Sequence, residues 1–174
     1  MSLFESGDSI GEVSLKYICE GKKISKATKD VNLRNLAHLI IRGGWPGNIS
    51  YSSDDSRKVV SEYIDLIIND DLYRLDSVNR YKHKAKLLLK SLARNESTTV
   101  PNATLRKDIK EIDDEPFSTN IRLCIRVKQS EKRHFADPSI SCALLNLTEE
   151  KLINDLEIFG FLFEAMVKPH QCFV

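Results

Sequence analysis

The chain has 174 residues, of which 41% are apolar and 29% charged, and a formal net charge of +1. That length allows one ordinary domain or two small ones with a real core, and the balance is that of a globular protein. A membrane-spanning helix is excluded, because the longest apolar run, Ile158 to Val167, is broken by Gly160 and Glu164 and falls short of the ~18 residues a span needs.

In chain order, a short helical piece is predicted around Leu15 to Cys19, followed by a polar loop to Asp30. A first helix runs from about Asn32 to Arg42, with Leu33, Leu36, Ala37, Ile40 and Ile41 at spacings of three and four. Asp30 or Asn32 caps its start and Gly43 ends it. A second helix starts at Ser53-Asp54-Asp55 and presents Val59, Val60, Tyr63, Ile64, Ile67 and Ile68. A third spans about Asp76 to Arg94. Its apolar stripe is Val78, Tyr81, Ala85, Leu88, Leu89 and Leu92, with Arg80, Lys82, Lys84, Lys86, Lys90 and Arg94 opposite. The polar stretch Asn95 to Pro101 is read as a boundary, which divides the chain into a helical bundle over 1–94 and a second part over 95–174. A short helix follows around Thr104 to Ile112, then the acidic turn Asp113 to Pro116. Residues Ile121 to Val127 alternate with period two, the pattern of a half-buried strand. Asp137 before Pro138-Ser139 reads as an N-cap with proline in the first turn. Thr148 caps a long final helix to about Val167, whose core face is Leu152, Leu156, Phe159, Phe163 and Val167; Phe161 is expected to be left exposed.

Charge is distributed in blocks. Residues 76–110 carry nine lysines and arginines against three acids, whereas 136–174 carry two against six. The cationic face of the third helix is the candidate nucleic-acid contact, with Lys82, Lys86, Lys90 and Arg94 placed to neutralise phosphates without reading bases. The competing reading is a solvated lysine face, favoured by the scarcity of arginine and of interleaved aromatics. The four cysteines are scattered, without metal-ligand spacing, and read as buried thiols.

Several segments together carry a family resemblance: Met1 to Gly7, Arg42-Gly43-Gly44-Trp45-Pro46, Ser91 to Asn95, Lys107-Asp108-Ile109, Arg133-His134-Phe135-Ala136-Asp137-Pro138-Ser139, and Leu156 to Glu164. In this order they resemble the AAA-type ATPases of bacteria and archaea that carry a C-terminal domain of unknown function related to restriction-endonuclease-like nucleases. The resemblance implies a mainly α fold: a helical bundle like the ATPase lid, then a truncated helix-turn-helix-like unit and a small α+β segment.

Three departures from the family set the functional expectation. No phosphate-binding Gly-x-x-x-x-Gly-Lys-Ser/Thr loop occurs, and Met1 corresponds to an internal methionine of the family. The recognition helix is missing after the acidic turn, and the nuclease-like part stops soon after Glu164, before the remaining metal carboxylates. The expectation is a non-enzymatic, cytoplasmic interaction module, with no catalytic, cofactor or metal residue assigned. Its partner is non-specific nucleic acid or a protein, not a membrane, and the uncovered strand and aromatic helix favour self-association. The alternatives are an incomplete metal-dependent nuclease using Asp137 and Glu164, or an accessory subunit of an intact ATPase.

Overall fold

A computed structural model describes residues 1–11, 16, 19–21, 31–71, 80–110 and 132–167. The described part is mainly helical and contains no strand. Its helices are α1 (Leu33–Arg42), α2 (Ser53–Leu66), α3 (Arg80–Arg94), α4 (Asn102–Lys110), α5 (Pro138–Leu145), α6 (Glu149–Asn154) and α7 (Leu156–Val167). A 3-10 turn at Pro46–Asn48 follows α1, and a turn of π-helix at Ile67–Asp71 follows α2. The predicted strand, the acidic turn, the place where a recognition helix is expected to be absent, residues 22–30 of the predicted loop and the start of the third helix lie outside the described residues.

Helix starts are set by short polar side chains that accept amide protons no helical carbonyl can reach. Asn32 Oδ1 accepts from Arg34 N at 3.0 Å, Ser52 Oγ from Asp55 N at 3.2 Å, and Thr148 Oγ1 from Lys151 N at 3.3 Å. Gly43, at φ +67°, ends α1. Asn146, in the left-handed region at φ 53°, ends α5.

The central element is the eight-residue α5, which packs on α1, α2, α3 and α7. It is apolar nearly all round, as a helix without a solvent face must be. Cys142 joins Ala37, Ile40, Ile41, Leu152, Phe159 and Leu162 in one core, and Leu144 joins Val60, Ile64, Ile68 and Ala93 in another. A third cluster of Leu87, Leu88 and Ile109 sits between α3 and α4.

Two predicted faces are corrected. The final helix is two helices: Asp155 breaks the run, and its carboxylate caps α7 by accepting from Ile158 N at 3.1 Å. The break resets the phase, so Leu162 and Ala165 are buried, while the predicted core residues Leu156, Phe163 and Val167 are exposed. Phe161 is half-buried. Because α7 is apolar on almost every side, spacing alone could not tell which row faced inward. On α3, Lys84 belongs to the buried face, only 2% exposed, in line with the buried Leu87, Leu88 and Ser91. The predicted continuous row of surface cations is interrupted there. Of the cysteines, Cys142 is buried and Cys19 is exposed, contrary to expectation; Cys124 and Cys172 lie outside the described residues.

Candidate functional site

The residues singled out in the sequence fall into four places. The first is the corner after α1. Asp137 caps α5 by accepting from Ser139 N at 2.9 Å, and its other oxygen accepts from Gly44 N at 2.7 Å. The Ser139 hydroxyl donates to Asp137 Oδ1 at 2.6 Å and accepts the Trp45 indole N–H at 2.8 Å. Gly43 is required here, because a Cβ would press on the Asp137 carboxylate and lie 2.6 Å from Ser139 Oγ. The two glycines and the Asp-Pro-Ser turn therefore form one joint, although more than ninety residues separate them. Arg42, 4% exposed, pairs with Asp8 at 2.6 Å and lines a pocket of about 310 Å³ with Glu5, Gly44 and Asp137.

His134 stands apart from Asp137. It belongs to a second, buried node built on Glu96, which is 3% exposed. Glu96 accepts from the Ser141 hydroxyl at 2.6 Å and from Phe135 N at 3.0 Å. Burial pushes the Glu96 carboxyl above its ordinary value, and these two donors offset only part of that. His134 Nδ1 lies 3.6 Å from Glu96 and 3.1 Å from Ser97 Oγ. Ser97, at φ 59°, gives its single proton to Phe161 O at 2.6 Å. Its oxygen then accepts from His134, which places a proton on Nδ1.

A serine, a histidine and a glutamate in contact invite comparison with a hydrolytic triad, but the geometry differs. A triad needs serine on one ring nitrogen and the carboxylate on the other. Here both face Nδ1, and Ser97 is 1% exposed. The node ties the segment before α5 to the end of α3 and to α7. Sequence reading missed Glu96, Ser97 and Ser141; the only local signal was polar residues straddling a supposed boundary.

The carboxylates of the nuclease alternative each have a separate partner. Asp137 is held in the joint, and both Glu164 oxygens accept from Lys132 Nζ at 2.8 Å.

The third place is the cationic edge of α3. Lys82, Lys86, Lys90 and Arg94 follow one another at four-residue steps, so they wind slowly around the helix. Lys86 is paired with Asp65 of α2 at 2.9 Å. Lys86 and Lys90 line a hollow of about 200 Å³ with Asp65 and Asn146. Lys82 is half-buried and has a partner of its own. Arg94 is exposed. The edge thus exists, but it is shorter and more neutralised than the sequence implied.

The fourth place is the outer side of α2. The predicted apolar set was wider than the core uses: Val60 and Ile64 are buried, whereas Val59, Tyr63 and Leu66 are 40%, 41% and 56% exposed. These three share one side at spacings of four and three. Tyr63 makes an edge contact with Trp45, ring centres 4.9 Å apart, which ties the row to the corner.

Residues 33–115 match the family model described as Domain of unknown function (DUF8612). No curated protein and no solved structure matches the chain. The matched span holds Gly43, Gly44, Trp45 and Glu96, along with the outer row of α2 and the edge of α3. The residues that complete the corner and the node, Asp137, Ser139 and Ser141, lie beyond it.

Proposed function

We propose that this chain is a non-catalytic protein-interaction module, derived from the ATPase family its motifs resemble, whose contact face is the outer row of α2. The exposed Val59, Tyr63 and Leu66 beside Trp45 carry the reading. An aromatic side chain on a rigid helix supplies contact area at low entropic cost and is the type that dominates interface energetics, so Tyr63 is the anchor and Val59 and Leu66 its apolar surround. The flank sets the partner's chemistry. Glu62 is exposed beside the row, whereas Asp54, Asp55 and Asp65 of the same helix are paired with Arg57, Lys58 and Lys86, so Glu62 is the carboxylate this face offers to a partner. The occupant is an amphipathic helix with a lysine- or arginine-rich edge. Titration with two model helical peptides, one of leucine and lysine and one of leucine and glutamate, tests this through fluorescence polarisation. The lysine peptide should bind saturably, and Tyr63→Lys should abolish binding. Equal binding of both peptides, or indifference to Tyr63→Lys, refutes it.

A second reading has one observation in its favour. Among the described residues, no carboxylate pairs with Lys90 or Arg94 on the edge of α3. Contacts there would be to phosphate, sequence-independent and weakened by salt. Labelled DNA should bind weakly, lose most affinity by about 200 mM salt, and be released by the Lys90→Glu/Arg94→Glu pair. Strong preference for one sequence would count against this reading.

A further inference from the structure

The pocket beside the corner contains a hydrogen-bond donor that the fold leaves unmet. It lies between the N-terminal segment, the end of α1 and the start of α5. Arg42, the last residue of α1, forms part of its wall and is 4% exposed. Arg42 Nη2 donates to Asp8 at 2.6 Å, but its buried Nε–H has no acceptor among the described residues. Enclosed polar groups are nearly always paired, because an unmade bond is costly once water is excluded. The cavity, about 310 Å³, is large enough for a compact organic molecule.

The wall restricts what can enter. An anion meets the carboxylates of Glu5 and Asp137, and that of Asp8 on the neighbouring nitrogen of the same guanidinium. A simple ammonium or amidinium meets the charge of Arg42 and has no lone pair to offer Nε–H. An uncharged group that accepts at one atom and donates at the next avoids both conflicts, and a primary carboxamide is such a group. Its acceptor suits Arg42. Its donors suit Glu5, which stands exposed at the rim, since a carboxylate oxygen accepts more than one proton. Leu3, Leu39 and Met166 make the rest of the wall apolar, which favours a hydrocarbon ring behind the amide. We infer that this pocket binds a small uncharged carboxamide on an aromatic body, its carbonyl accepting from Arg42 Nε–H and its NH2 donating to Glu5.

Nitrogen–proton correlation spectra of the full chain, titrated with benzamide, test this. The Arg42 Nε–H signal, assigned by its loss in Arg42→Lys, should move downfield and saturate. Gly44 N–H, in the same wall, should move with it and report the dissociation constant in variants. Benzoate keeps the ring but is an anion, and benzamidinium keeps the donors but has no acceptor; each should bind at least about tenfold more weakly. Two substitutions at exposed wall positions leave the core untouched. Glu5→Ala should weaken benzamide several-fold, and Ala136→Phe should obstruct the pocket and abolish binding, both with thermal unfolding unchanged. Tyr63→Lys should bind benzamide as the wild type does, which separates this pocket from the face of α2. An Arg42 Nε–H signal that ignores benzamide overturns the inference. So does benzoate or benzamidinium binding as tightly, indifference to Glu5→Ala or Ala136→Phe, or loss of binding in Tyr63→Lys.

Discussion

Two carboxylates hold the central helix α5, and they do so by different physics. Asp137 works at the N-terminus on amide donors that the helix leaves unsatisfied, and it remains partly in contact with solvent. Glu96 reaches the middle of the helix from 45 residues away in sequence, holds Ser141, and is almost wholly buried. The capping bond of the first is local chemistry that water could partly replace, even though its other oxygen accepts from Gly44 N. The second exists only because the fold brings donor and acceptor together, and at 3% exposure little water reaches Glu96 to take their place. Removing a partner should therefore cost more at the buried contact than at the cap.

The largest effect is expected for Glu96→Ala, which strands the Ser141 hydroxyl and the Phe135 N–H: a loss of about 2–4 kcal/mol in urea unfolding. Glu96→Gln keeps the shape and one acceptor and should recover much of it. Next comes Gly43→Ala, where the added methyl meets both Asp137 and Ser139 at a positive φ; a loss of about 1–3 kcal/mol is expected in the same measurement. Asp137→Ala should cost about 1–2 kcal/mol, as cap removals do. If Asp137→Ala proves more damaging than Glu96→Ala, the contrast between cap and buried contact is wrong.

The finest test is pH. Burial raises the Glu96 carboxyl above 4.5, so the folded chain holds that proton more tightly than the unfolded chain. The associated stability is fully present below pH 4.5 and is lost as pH rises through the folded value. Urea unfolding across that window should show wild-type stability falling relative to Glu96→Gln. A curve parallel to that of the glutamine variant would mean that Glu96 is better solvated than its burial indicates.

The same contrast explains what could be read in advance. The caps that Asn32, Gly43, Asp137 with Pro138, and Thr148 form act within a few residues of themselves, and each does what its local pattern implied, although Gly43 and Asp137 also meet across the joint. The mainly helical class followed from such signals and from period-three and period-four spacing. Local pattern was weakest where every side of a helix is apolar: on α7 the register was open, and the Asp155 break decided it. It failed for Lys84, since a lysine on a polar-looking face gives no sign of being enclosed. The joint of Gly44, Trp45, Asp137 and Ser139 was legible as two separate turns but not as one contact, because nothing local states which turns meet. The outer row of α2 was visible only as surplus, more apolar side chains than one core-facing stripe can use.

The place of α5 in the chain has a consequence for synthesis. The helices it joins, α1 to α3, are complete by residue 94, but α5 begins at residue 138. At roughly 5–20 residues per second, the ribosome takes on the order of 5–20 s to make the hundred or so residues from the end of α1 to the start of α5. Through that interval Ile41, joined in turn by Val60, Ile64 and Ala93 as they are made, lacks the neighbour that closes the core. A nascent chain in this state displays adhesive surface until a helix of eight residues arrives to cover it.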